Sequence, residues 1–174
     1  MNAEETPATF ELASGSAEPV STGEVRHGMT WQTEQGELRC LLPRSLRAEI
    51  ISSPNISSLP SRNNWLVGIV NIRGELVPVI DLLKWADLKV SMDSARTNQV
   101  LLIGEGESAI ALQAQQHPAL LVTLPSNNTV SSAFAKLSVF THSTFTANEQ
   151  TWLDLDFKAW LANLSQSKNE TIGR

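Results

Sequence analysis

The sequence predicts a mainly β protein, and three observations carry that prediction. Apolar residues recur in short alternating runs, the runs are punctuated by clusters of Gly, Pro, Ser and Asn, and several pairs of runs are separated by only a tight turn. A 3.6-residue period is clear only near the C-terminus, where Phe157, Trp160, Leu161 and Leu164 read as the apolar stripe of an amphipathic helix.

Taken in order, residues 1–25 are rich in Glu, Ala, Ser, Thr and Pro with scattered apolar residues, and read as a disordered acidic arm. Met29 and Trp31 alternate with polar neighbours, residues 34–36 can turn, and Leu38, Cys40 and Leu42 resume the alternation, which predicts a hairpin. Residues 46–51 fit either a strand or one helical turn, because Leu46 and Ile50 lie four apart. The Ser, Asn and Pro content of residues 52–64 marks a long loop, as well suited to a functional surface as to a passive connection. Residues 65–72 and 76–83 form a second hairpin around Arg73, Gly74 and Glu75, with Gly supplying a positive φ. Pro78 cannot donate to a ladder, so it belongs at an edge, at a bulge, or where its amide would point away from a neighbour.

Residues 84–88 read as a helical turn begun by Asp81. Residues 98–103 and 108–112 pair around the turn 104–107, and 119–124 adds a strand between Pro118 and Pro125. After a Ser/Asn-rich loop at 126–132, residues 134–145 and 151–155 supply further strand before the final helix, and 166–174 form a flexible tail. A chain of 174 residues accommodates one domain or two small subdomains sharing a core, here within residues 26–165.

Composition narrows function. Hydrophobic residues make up 41% and charged residues 18%, the balance of a globular protein. The net charge of -5 is confined to the arm, where Glu4, Glu5, Glu11, Glu18 and Glu24 face no Lys or Arg; the remaining 13 acidic and 13 basic residues cancel. Without a basic excess, binding to nucleic acid or anionic membrane is disfavoured. Cys40 stands alone, which excludes an intramolecular disulfide, and its alternation with Leu38 and Leu42 assigns it to packing. The N-terminus lacks a basic segment followed by an apolar one, and no stretch approaches a membrane span, so neither export nor membrane insertion is expected.

No catalytic constellation is legible. Gly104-Glu105-Gly106 lacks the third Gly and following helix of a phosphate loop, and reads as a turn. Asp154 and Asp156 alternate with Leu153, Leu155 and Phe157 as a wet strand face, with Asp156 placed to cap the last helix. His27, His117 and His142 are scattered outside any metal motif. The expectation is therefore a binding protein without enzymatic activity, cofactor or metal. Trp65, beside the long loop, is the aromatic best placed to anchor a partner. A small oligonucleotide-binding barrel is the competing class, although Arg39, Arg44 and Arg47 cluster without the aromatics such a face requires.

Residues 65–82 read Trp-Leu-Val-Gly-Ile-Val-Asn-Ile-Arg-Gly-Glu-Leu-Val-Pro-Val-Ile-Asp-Leu. This segment closely resembles the signature of CheW-like domains: Gly, then Asn-x-Arg-Gly, then Pro-Val-x-Asp-Leu. Residues 140–155, ending in Thr-Trp-Leu-Asp-Leu, resemble the closing strands of PilI-type members associated with twitching motility. The resemblance implies two SH3-like five-stranded β-barrel subdomains with short helical turns and a C-terminal helix. It also implies a cytoplasmic, non-enzymatic adaptor between the cytoplasmic tip of methyl-accepting chemoreceptors and a CheA-type histidine kinase, in a type IV pilus pathway or, alternatively, in flagellar chemotaxis.

By matching positions, Arg73 is the candidate exposed contact of the motif; Trp65, Asn71 and Glu75 are the other candidate partner-binding residues. Gly68, Gly74, Pro78 and Asp81 are the structural part of the motif. The bland alternative for Arg73 is an ion pair within the chain, with Glu75 or Asp81 as partner. A departure from the family is Gln115-Gln116-His117, where many members carry an acidic residue.

The acidic arm offers no periodic apolar face, so a chain truncated to begin at Glu24 is expected to melt within a few degrees of the full-length protein; a larger drop in a thermal melt would show that the arm packs.

Overall fold

The computed structural model describes residues 23–94 and 97–166; the segments 1–22 and 167–174, which hold nearly all of the expected arm and tail, lie outside the described residues. The first hairpin joins β1 (Glu24–Thr33) to β2 (Gly36–Leu41), and β1 starts two residues inside what composition assigns to the arm. There Glu24 and Val25 pair with Thr123 and Val122 of β9 (Ala119–Ser126). With β10 (Thr141–Ala147) and β11 (Gln150–Leu155), these strands close a barrel in the order β1-β2-β11-β10-β9. The closing contact is a short parallel pairing of β11 with β2.

The middle of the chain builds a second sheet from β3 (Ala48–Ser52), β4 (Ile56–Ser57), β5 (Leu66–Ile72), β6 (Glu75–Ile80), β7 (Gln99–Ile103) and β8 (Ile110–Ala114). Its order is β3-β7-β8-β6-β5-β4, with β6 and β8 parallel. The end strands β3 and β4 are consecutive in the chain, separated only by Ser53, Pro54 and Asn55. That link reaches at most about 14 Å, whereas six strands laid flat would hold their edges about 24 Å apart. The sheet therefore curls into a second, open barrel, whose edge strands β3 and β4 are tethered by the chain and share no ladder.

Two elements differ from the sequence reading. The ambiguous stretch at 46–51 is a strand, because β3 pairs with β7 along its whole length, and the long loop contains the two residues of β4, which give the second barrel six strands in place of five. Residues 134–138 are helical where strand was expected. Ser131 accepts a hydrogen bond from the Ala133 N–H at 3.3 Å and starts a 3₁₀ turn (Ser132–Phe134) that runs into a short helix, α2 (Ala135–Ser138). Leu137 anchors it in the core while Val139 stays exposed, so the apolar residues there follow a turn-like period and not alternation. The two remaining helices were legible: α1 (Leu82–Trp85) is capped by Asp81, and α3 (Phe157–Gln166) by Asp156, whose Oδ1 accepts from the Ala159 N–H at 2.9 Å.

The largest apolar cluster lies between the barrels. Met29, Trp31 and Leu38 from the first meet Leu101, Ile103 and Leu112 from the second, and Trp85 of α1 and Trp160 of α3 lie among them edge to face, ring centroids 5.5 Å apart. Alternation in β7 shows the division: Leu101 and Ile103 face this shared core, while Val100 and Leu102 face the second barrel's interior with Val70, Val77 and Val79. The first barrel's interior is smaller, built on Leu121, Phe145 and Trp152.

At one end of that interior, Arg26 of β1 meets Asp154 of β11. Nη2 lies 2.8 Å from Oδ1 and also donates to the Leu42 carbonyl at 3.1 Å, and the guanidinium lies 5.6 Å from the centre of the Phe145 ring. Asp154 thus does sit on the strand face opposite Leu153 and Leu155, but it is turned to a buried arginine and not simply to water. Removing either partner would leave a charge partly stranded, which costs about 3–5 kcal/mol in buried pairs and less here, because Asp154 is one-quarter exposed.

Gly28, on the same inner face, has no room for a side chain: an added Cβ would lie 2.3 Å from the Trp152 ring and 2.7 Å from Leu121. Gly28→Ala is expected to lower stability by about 1–3 kcal/mol, the cost of overpacking a filled core, measured as a shift in the urea midpoint with unchanged slope.

Candidate partner-binding site

The hairpin β5–β6 turns through Arg73 and Gly74, whose φ angles of 56° and 90° make it a two-residue turn with both central residues left-handed. Asn71 braces it, its Oδ1 accepting the Gly74 N–H at 2.9 Å. Glycine suits the second turn position, and at Gly68 a different constraint applies: an added Cβ would stand 2.2 Å from the Ser57 carbonyl oxygen, so the close approach of β4 requires its absence.

Pro78 lies opposite Ile69. Because the residues flanking the turn, Ile72 and Glu75, form a hydrogen-bonded pair, alternation makes Ile69–Pro78 a pair without mutual bonds. The missing amide would therefore point to the β8 side, where pairing starts only at Val79. Asp81 is nearly buried; its Oδ1 accepts from the Lys84 N–H at 3.0 Å and its own N–H donates to the Trp65 carbonyl at 2.8 Å. Trp65 itself is half-buried against the shared core, so its ring serves packing as well as surface.

Arg73 projects from the turn, 63% exposed, and forms an ion pair within the chain. Its partner is neither Glu75 nor Asp81 but Glu49 of β3, with Nη2 at 2.8 and 2.9 Å from the two carboxylate oxygens. Nothing local in the sequence pairs positions 24 residues apart on strands that are not neighbours in the sheet; only the curl of the second barrel brings β3 to the hairpin tip. Glu75 lines the same shallow recess of about 280 Å³, together with Arg47 and Glu105, which pair with each other at 3.2 Å.

Glu49 also borders a groove of about 450 Å³ between the two barrels, lined by His27, Leu42, Leu46, Ile50, Leu101 and Pro118 among others. Beside it, the outer face of β1 and β9 carries an exposed apolar stripe of Val25, Leu120 and Val122, with Leu124 beyond. Sequence reasoning missed both groove and stripe. The alternation of residues 120, 122 and 124 was visible, but which face would be left uncovered was not.

The remaining candidates do not converge. Arg39, Arg44 and Arg47 pair with Glu37, Glu24 and Glu105 and form no basic face. Cys40 is fully buried, and burial pushes its thiol pKa far upward. Among the described residues no three His, Cys, Asp or Glu side chains gather as a metal site, and no helix is long and apolar enough to cross a membrane.

The described residues thus present two linked barrels, a braced hairpin at the rim of the second and a groove between them. The CheW-like domain model matches residues 34–164, and the chain belongs to that family. It is 23% identical over 128 residues to chemotaxis protein CheV3 of Helicobacter pylori, a match covering 70% of this chain and 40% of that relative's length. In fold it is similar to the crystal structure of the scaffolding protein TtCheW from Thermoanaerobacter tengcongensis, with a TM-score of 0.55, 12% identity, and coverage of 76% of this chain and 90% of the other.

The exposure of the Arg73–Glu49 pair sets its energetic scale. A double-mutant cycle on Arg73→Ala and Glu49→Ala is expected to give a coupling of about 0.2–1 kcal/mol in urea unfolding, which shrinks in high salt; a coupling well above that range would make the pair a structural tie.

Proposed function

We propose that the protein is a non-enzymatic adaptor that couples methyl-accepting chemoreceptors to a CheA-type histidine kinase in the cytoplasm. The observation that carries this reading is how the family motif is used. Gly68, Gly74, Pro78 and Asp81 are each accounted for by a backbone requirement or a cap, and Asn71 by the brace of the turn. Arg73 alone among the motif residues places a charged group outward, on a rigid turn at the rim of the second barrel. A surface carboxylate holds it only weakly, so a partner carboxylate in a drier interface can take it over. Glu75 would frame that contact, whereas Trp65 lies at the opposite end of the hairpin beside Asp81, and the inter-barrel groove with its neighbouring apolar stripe offers a second surface, as bridging two partners demands.

Within chemosensory systems we assign the protein to a type IV pilus pathway, on the likeness of residues 140–155 to PilI-type members. Deletion in the source organism tests this, with loss of twitching and retained swimming expected; the opposite phenotype would favour flagellar chemotaxis.

For the contact itself, Arg73→Glu is expected to keep the circular dichroism spectrum and melting temperature nearly intact while weakening capture of the cognate kinase or receptor tip more than tenfold. A desolvated charge pair lost at about 2–5 kcal/mol corresponds to roughly 30-fold to several thousand-fold. Wild-type capture by the folded variant would remove Arg73 from the interface. Micromolar binding of a labelled single-stranded oligonucleotide with a steep salt dependence would instead support the oligonucleotide-binding class.

A further inference from the structure

The departure at Gln115-Gln116 acquires a role in the structure. Strand β9 pairs with β1 only as far as Gly28, while β2 covers the other side of β1 from Gly28 to Thr33. One edge of β1 beyond Gly28 is therefore left without a strand, and it faces the segment that follows β8.

Side-chain amides occupy that edge. The Gln32 N–H donates to Gln115 Oε1 at 2.6 Å, and Gln115 Nε2 lies 3.4 Å from the Gln32 carbonyl oxygen as a longer return bond. Gln116 Nε2 donates to the Thr30 carbonyl at 3.2 Å, and between them Trp31 Nε1 donates to the Gln113 carbonyl at 3.0 Å. A primary amide presents one acceptor and two donors, the same complement a peptide group offers an open edge plus a spare N–H. Carboxylates at these positions would have no proton to give the two carbonyl oxygens. Further along, the Ser91 N–H also donates to the Gln32 carbonyl at 3.1 Å, and Glu34 N–H to the Lys89 carbonyl at 3.0 Å.

All of these partners come from the chain that builds the second barrel or leads out of it, whereas β1 belongs to the first. The seam is tied to the groove through the chain: Pro118 follows Gln116 by two residues, and His27 precedes Thr30 by three, and both line it.

We propose that Gln115 and Gln116 are positioning residues, whose side-chain amides stand in for a missing strand along β1 and so fix the angle between the two barrels and the opening of the groove. The seam rests on its own geometry, and only the idea that the groove receives a partner depends on the adaptor reading.

The test places spin labels on Leu76→Cys and Leu120→Cys, exposed positions on the second and first barrel; the fully buried Cys40 is shielded from the label. Pulsed electron paramagnetic resonance then reads the inter-barrel distance. With both glutamines present the distribution is expected to be narrow, and Gln115→Ala with Gln116→Ala should broaden or shift it by several ångströms. Hydrogen exchange at the Gln32 amide should rise about tenfold, the scale of one lost hydrogen bond, while Cys40 and Val100 amides keep their protection. Should the double variant fail to fold, Gln115→Glu keeps the size and the acceptor for Gln32 N–H but sets a carboxylate against a carbonyl oxygen, and broadening is expected there too. A folded variant with wild-type distances and wild-type Gln32 exchange overturns the proposal. The readout needs no partner, so failure to capture a kinase or receptor would count against the adaptor reading and leave this one standing.

Discussion

The structure depends on a single constraint: several of its central strands are buried on both faces. Each barrel is too small to fill itself well, since the first interior holds little more than Leu121, Phe145, Trp152 and their neighbours. Their outward faces supply what is missing. Met29, Trp31 and Leu38 on one side and Leu101, Ile103 and Leu112 on the other share a cluster larger than either interior, with Trp85 and Trp160 wedged among them. Burying that much apolar surface between barrels is what makes a pair of them stable where either alone would be marginal.

Chain path reinforces the dependence. The first barrel is assembled from both ends of the described chain, β1 and β2 with β9 to β11, and the second from the middle. The first ladder is therefore completed only by strands that follow the second barrel in sequence. Arg26 and Asp154, 128 positions apart, mark that closure with a buried charge pair, and the glutamine seam joins the two halves along β1. Charges elsewhere are mostly paired across short surface distances, which explains how the described residues of a chain with as many acidic as basic residues after the arm present no basic face.

The family signature illustrates how a motif divides into fold and surface. Its glycines, proline and aspartate answer to φ angles, a strand crossing, a ladder position and a helix cap, and would be needed with or without a partner. Arg73 answers to none of these, and its contact with Glu49 is exposed enough to be exchanged.

Local rules determined much of this in advance. Period-2 runs and turn residues located most strands and hairpins, Asp81 and Asp156 announced their caps, and the pattern Phe157, Trp160, Leu164 announced α3, because each depends on residues a few positions apart. The same rules misread residues 134–138, where three-residue spacing imitates alternation, and could not see two paired residues hidden in the loop at 56–57. What tertiary structure alone decided was everything resting on distant contacts: Glu49 as the partner of Arg73, Asp154 as the partner of Arg26, the amide seam of Gln115 and Gln116, and the groove between the barrels. In each case the interacting groups are tens of residues apart or more, and they meet only because one sheet curls round and the two barrels pack face to face, a geometry that no periodicity encodes.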